Sequence, residues 1–168
     1  MRSSSSSPEP PVGPVSAPTG RGAGWVVVQF ALMAAIIAAG WLPPDWPDGA
    51  HTVLTAAGAV LALAGIAFAV WAARSLGSSL TPFPKPLGTG LVTSGPFAIV
   101  RHPIYTGGLA FFSGYSLFGS VPALVLTALL GLLWVGKLHV EERLLAAAYD
   151  GYAAYCLRVR HRLIPFLY

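Results

Sequence analysis

The chain has 168 residues, of which 55% are hydrophobic and only 10% charged, with a formal net charge of +4. Soluble domains carry about 25% charged residues, so this composition argues against a water-soluble globule and for a chain embedded in a bilayer. The single cysteine, Cys156, excludes an internal disulfide and leaves no thiolate set for a metal, so no metal is expected.

Residues 1–23 hold the Ser3–Ser7 run and many prolines, with almost no large apolar side chains. Such a segment cannot bury enough surface to fold, and a disordered cytoplasmic tail is expected there. It is not read as a secretory signal, because the apolar stretch that follows is too long and no cleavage site ends it. The rest, 24–168, is read as one membrane domain. Its first span is expected over residues 25–42, apolar except for Gln29, with Trp25 and Trp41 at the two interfaces. Prolines 43, 44 and 47 end it. A second span is expected over 52–73, where Gly58, Ala62, Gly65, Ala69 and Ala73 recur at helical spacing and would permit close helix packing. Arg74–His102 is too long and too polar for a simple turn, and its prolines exclude regular helix over the first half.

That loop runs into Arg101-His102-Pro103-Ile104-Tyr105-Thr106-Gly107-Gly108. Pro103 suits the first position of a helix, where its missing N–H costs nothing. The free N–H groups of that first turn, next to Arg101 and His102, form a place for an anion. Gly107 and Gly108 would keep the turn bare enough for a flat ligand. Spans three and four are expected over 103–119 and 121–138, joined by a tight hairpin at Gly119-Ser120-Val121-Pro122. Beyond the fourth, the helix is expected to run through Glu141 and Glu142 to about Tyr149. Gly151 then breaks it before a C-terminal interfacial helix at Tyr152–Leu157. The fold class is therefore all-α integral membrane, with about four transmembrane helices and a C-terminal cytoplasmic or interfacial helix.

All 10 Lys and Arg residues fall on one side of this arrangement, and the two opposite loops hold only Asp45 and Asp48. Positive charge marks the cytoplasmic side, which puts both termini and the arginine and glutamate sets there. The basic balance is thus read as topology, with no nucleic-acid partner. Taken singly, each feature has a plainer reading. Arg101 and His102 could only orient the helix, Glu141 and Glu142 could be a solvated face, and Lys137 could merely pair with Glu141 on the surface. The arginines of the tail, Arg158, Arg160 and Arg162, could anchor it to anionic lipid, or one of Arg158 and Arg160 could fold over the site.

Leu91-Val92-Thr93-Ser94-Gly95-Pro96-Phe97, the Arg101–Gly107 run, the Glu141-Glu142 pair and a tail with Tyr152, Tyr155 and Ile164-Pro165 resemble one known pattern. It is that of integral-membrane methyltransferases of the isoprenylcysteine carboxyl methyltransferase type, with phospholipid methyltransferases as more distant relatives. The resemblance covers roughly residues 74–168. Phe97 departs from it where many relatives have Tyr, and the extra N-terminal spans of the eukaryotic enzymes are absent. The resemblance implies S-adenosylmethionine as methyl donor, released as S-adenosylhomocysteine. It also implies a lipophilic acceptor, bearing a carboxylate, phenol, thiol or amine on an isoprenoid or lipid. It implies donor binding by Arg101, His102, Pro103, Tyr105, Gly107, Glu141 and Glu142, with the segment 139–168 covering the donor. Tyr105, Glu142 and Arg158 are the candidates for the catalytic step. Adjacent helical residues point about 100° apart, so one glutamate is expected to face the ligand and the other to pair with a neighbour such as Arg101 or Arg143. The bacterial plasma membrane, with the site facing the cytoplasm, is the expected location. A nicotinamide-dependent membrane reductase of related architecture and a non-enzymatic scaffold are the competing readings.

Overall fold

The computed structural model describes residues 22–43, 46–82 and 90–165. Of the tail expected over residues 1–23, residues 1–21 lie outside these, as do 44–45, residues 83–89 of the long loop and the last three residues, while Ala23 begins a helix. Among the described residues every regular element is helical: α1 (Ala23–Ala39), α2 (Asp48–Leu76), α3 (Pro103–Phe118), α4 (Val121–Ala148) and α5 (Tyr152–Arg158). Short 3-10 turns follow α2 at Gly77–Ser79 and precede α3 at Gly95–Ala98.

Two helical stretches, Gly49–Ser79 and Val121–Ala148, are long and apolar enough to cross a membrane. The other two helices of the expected four spans are shorter, 17 residues for α1 and 16 for α3. At 1.5 Å per residue a 28-residue helix such as α4 exceeds a hydrocarbon core of about 30 Å, which leaves length for its charged C-terminal turns outside an apolar zone. Val27 and Phe30 on α1, Val53, Val60 and Leu63 on α2, and Val125 and Leu132 on α4 are all exposed. An outward apolar surface of this extent suits lipid rather than water.

Helices α2 and α3 make the closest pairing, and the small-residue stripe is the reason. A Cβ added to Gly65 would lie 2.6 Å from the Gly107 carbonyl oxygen, and one on Gly58 would lie 2.5 Å from that of Gly114. Lipid tails give no hydrophobic drive for helix association, so backbone contact through such residues supplies the packing. α1 and α3 pack with α4 around Ile36, Ala39, Phe112, Ala123, Leu130 and Trp134. Ser120, the N-cap of α4, also donates from Oγ to the Ala39 carbonyl at 2.7 Å, and Tyr115 Oη donates to the Ile37 carbonyl at 2.8 Å. These bonds tie the end of α1 to the α3–α4 hairpin.

Candidate active site

The site begins at the entry to α3. Gly95, with φ +61°, opens the turn that carries the buried Pro96 and Phe97. Such a backbone angle costs a glycine little and other residues more. Tyr155 Oη donates to the Phe97 carbonyl at 2.8 Å, fastening α5 to this turn. Burial pushes the Tyr155 hydroxyl above the ordinary phenol range and keeps it a donor. Pro103 occupies the first turn of α3, as its fixed φ favours. The C-terminal segment runs alongside. The Arg101 N–H donates to the His161 carbonyl and the His102 N–H to that of Arg162, each at 2.9 Å. Thr106 Oγ1 donates to the carbonyl of Leu163.

Two glutamates from the end of α4 meet this junction and divide the work. Glu142 Oε1 accepts from Arg101 Nε at 2.7 Å and lies 3.3 Å from His102 Nε2, while Oε2 accepts from Arg162 Nε at 3.0 Å. Burial acts to raise its pKa, but hydrogen bonds from His102 and Arg101 and their nearby charges outweigh that and hold the carboxyl at about 2. A second bond set spends more of Arg101: one terminal nitrogen donates to the carbonyls of Val159 at 2.8 Å and Arg160 at 3.0 Å. Glu141 turns the other way. Its Oε1 accepts from Tyr105 Oη at 2.6 Å, and its Oε2 lies 3.6 Å from His102 Nδ1. The Tyr105 ring is stacked between His102 and Trp134, with centroids 5.9 and 5.1 Å away.

A cavity of about 490 Å³ opens beside these groups. Arg101, His102, Tyr105 and Glu141 give its polar wall, Pro103 lies between them, and Phe30, Leu76, Leu80, Ile104, Leu144 and Leu145 give its apolar one. That size and mixture fit a small organic ligand with a few charged groups. Of the residues singled out from the sequence, five therefore line one cavity, and Glu142 sits behind Arg101. Gly107 does not join them. It faces α2, where an added Cβ would lie 2.6 Å from Ala69 N and Gly65 O, so its bareness serves helix packing. Nor is Arg158 brought to the cluster: it is exposed, with its guanidinium 6.0 Å from the Tyr155 ring centroid. The tail arginine that reaches a glutamate is Arg162.

Two further wall residues, Gln29 and Lys137, were noted in the sequence but not counted among the site residues. Lys137 is fully buried and donates to Gln29 Oε1 at 3.0 Å and to the Pro82 carbonyl at 2.8 Å. Gln29, on α1, also accepts from Trp134 Nε1 at 3.0 Å. The sequence carried a signal for both, a lone polar residue inside an apolar span and a lysine one turn before an acidic pair. Lys137 is thus part of the interior and not a surface partner of Glu141.

Fold and site together define a helical membrane protein with a charged cavity where its helices meet. The phospholipid methyltransferase family matches residues 53–151, more than half of the chain, and the chain belongs to that family. No curated protein matches it significantly. Membership implies a membrane methyltransferase and favours neither the reductase nor the scaffold. The match includes Arg101, His102, Tyr105, Lys137, Glu141 and Glu142, while α1 precedes it and α5 follows it.

Proposed function

We propose that the protein transfers a methyl group from S-adenosylmethionine to a lipophilic acceptor at the cytoplasmic face of a bacterial plasma membrane. The acceptor group is a carboxylate, phenol, thiol or amine of an isoprenoid or lipid. The carrying observation is that His102 and Tyr105 at the start of α3 meet Glu141 near the end of α4 on the wall of one cavity. In this reading the chain crosses the bilayer four times through 24–138, both termini are cytoplasmic, and the segment 139–168 covers the donor.

The residues present suit the donor's groups. Glu141 is the carboxylate on the cavity wall and accepts from an ammonium or from ribose hydroxyls. His102 and the first-turn N–H groups of α3 take the donor's carboxylate. Arg101 spends its donors on Glu142 and on two carbonyls, so it holds the frame that aims His102 and lends positive charge to the wall. Phe30, Leu76, Leu80 and Ile104 exclude water and receive the acceptor's apolar chain. The bound donor supplies an electrophilic methyl on a sulfonium, and holding donor and acceptor in line lowers the barrier by roughly 7–11 kcal/mol. Tyr105, bonded to Glu141 on the wall, is the candidate nearest the reacting groups.

The test is binding of S-adenosylhomocysteine to detergent-purified protein, followed by transfer of a labelled methyl to membrane lipids. His102→Ala and Glu141→Ala are expected to abolish binding, and label is expected in a lipid-soluble product. Undiminished binding in both variants would remove the assignment.

A further inference from the structure

Lys137 and Glu141 are four residues apart on one helix, the spacing at which opposite charges pair directly. Both side chains are largely buried, and low dielectric strengthens their attraction. A direct charge-assisted bond would bring them to about 2.7–2.9 Å. Instead Lys137 Nζ stays 4.0 Å from Glu141 Oε1 and binds two neutral carbonyls, Gln29 Oε1 at 3.0 Å and Pro82 O at 2.8 Å. Two donors, Lys137 Nζ and Trp134 Nε1, converge on the same Gln29 atom, which therefore must be the oxygen. With the lysine drawn aside, Glu141 Oε1 is engaged by the Tyr105 hydroxyl, and an ionised carboxylate has acceptor sites to spare.

We propose that Gln29 of α1 is a positioning residue: its amide carbonyl pulls the Lys137 ammonium away from Glu141 and so keeps that carboxylate open to the methyl donor. The inference rests on the donor reading above and assigns α1, which lies outside the family match, a part in the site. Without the amide, the lysine keeps the Pro82 carbonyl, and Glu141 is the charged acceptor within reach of its freed donor. The lysine closes on Glu141 and competes with the donor's ammonium for the same oxygens.

The experiment is S-adenosylhomocysteine binding to the full-length chain in detergent. Gln29→Leu is expected to weaken binding about ten-fold, the worth of one charge-assisted hydrogen bond. Gln29→Glu keeps an acceptor for Lys137 and Trp134 and is expected to stay within about three-fold of wild type. The decisive variant is Gln29→Leu combined with Lys137→Met, which removes the competing ammonium. It is expected to bind more tightly than Gln29→Leu alone, whereas a merely structural role for Gln29 makes the second change neutral or worse. Should Gln29→Leu fail to fold, Lys137→Met alone decides. Trp134 still satisfies the Gln29 oxygen there, and because the amide already holds the ammonium aside, binding is expected to stay within about three-fold of wild type or tighten. Equal binding by wild type and Gln29→Leu, no recovery in the double variant, or binding by Lys137→Met weakened beyond about three-fold each overturns the proposal while leaving the donor reading intact. Absence of binding by the wild type itself removes both.

Discussion

Arg101 and Glu142, 41 residues apart in sequence, meet at 2.7 Å with their side chains only 6% and 12% exposed. That contact joins the start of α3 to the end of α4, and through the carbonyls of Val159 and Arg160 the same guanidinium holds the C-terminal segment. The geometry of the cavity wall thus depends on one ion pair that lines up His102 on one side and Glu141 on the other.

Breaking that pair from one side leaves a buried charge without its partner, a loss of about 3–5 kcal/mol in comparable cases. Glu142→Ala is expected to lower thermal stability in detergent by that order. The double change with Arg101→Ala is expected to cost less than the sum of the single changes, because the stranded guanidinium is gone. Strict additivity in that cycle would mean the two residues act independently.

The depressed pKa of Glu142 fixes the direction of a pH effect. The folded carboxyl, at about 2, binds a proton less readily than the unfolded one at 4.5. The stabilisation it contributes is therefore complete above 4.5 and fades as pH falls toward 2. Melting temperatures measured across that window are expected to drop more steeply for wild type than for Glu142→Gln. Parallel curves for the two proteins would contradict the assignment.

What was legible in the sequence was whatever stands out against an apolar background. Pro103 after Arg101-His102 and the hairpin at Ser120-Val121-Pro122 mark helix ends, and the structure has its helix boundaries there, while the Glu141-Glu142 pair lies inside α4, which runs on to Ala148. The stripe Gly58, Ala62, Gly65, Ala69 was legible because it is periodic, and it is the face that meets α3. Gln29 was visible as a lone amide, but its partners lie 105 and 108 residues away, a separation that no local pattern encodes. The tail failed for a different reason. Arg158 ends α5, and beyond it no regular element sets the direction of Arg160 and Arg162. Long-range bonds decide which of them turns inward: those from the Arg101 and His102 backbone to residues 161 and 162, from the Arg101 side chain to the carbonyls of Val159 and Arg160, and from Thr106 to that of Leu163. Gly107 was placed at the ligand because it follows the helix start, whereas helix rotation carries it round to α2.

The α2–α3 contact yields a stability test independent of any ligand. A Cβ on Gly65 would lie 2.5 Å from Phe111 N and 2.6 Å from Gly107 O, backbone atoms that move only if the helices part. Gly65→Ala is expected to destabilise by about 1–3 kcal/mol, as overpacking does elsewhere. Gly24→Ala, where nothing lies within 4 Å, is the control and is expected to melt like wild type. A Gly65→Ala protein as stable as that control would show that the helices are not in backbone contact.

Tyr105→Phe removes the hydroxyl that donates to Glu141 at 2.6 Å and keeps the ring between His102 and Trp134. The fold is expected to survive, since the stacked aromatic surface is unchanged. Binding of S-adenosylhomocysteine is expected to weaken about ten-fold, because a hydrogen bond to a charged group is worth about 1.5–3 kcal/mol. Calorimetric titration of the purified variant reads this directly, and unchanged affinity would separate Tyr105 from donor binding.

The two tail arginines make opposite predictions despite their similar neighbourhood in sequence. Arg162 Nε lies 3.0 Å from Glu142 Oε2, with its side chain 34% exposed, so solvent screens the pair and its worth is about 0.2–1 kcal/mol. Arg158 is exposed, with its guanidinium 6.0 Å from the Tyr155 ring centroid. Arg162→Ala is therefore expected to loosen the C-terminal segment, detectable as faster proteolysis after α5 and a small loss of donor affinity. Arg158→Ala is expected to stay within about 0.5 kcal/mol of wild type in stability, as surface substitutions do. If methyl transfer instead collapses in Arg158→Ala while stability holds, the side chain must swing onto the cavity when ligand is bound. The inward-facing arginine of the tail would then be residue 158 and not 162.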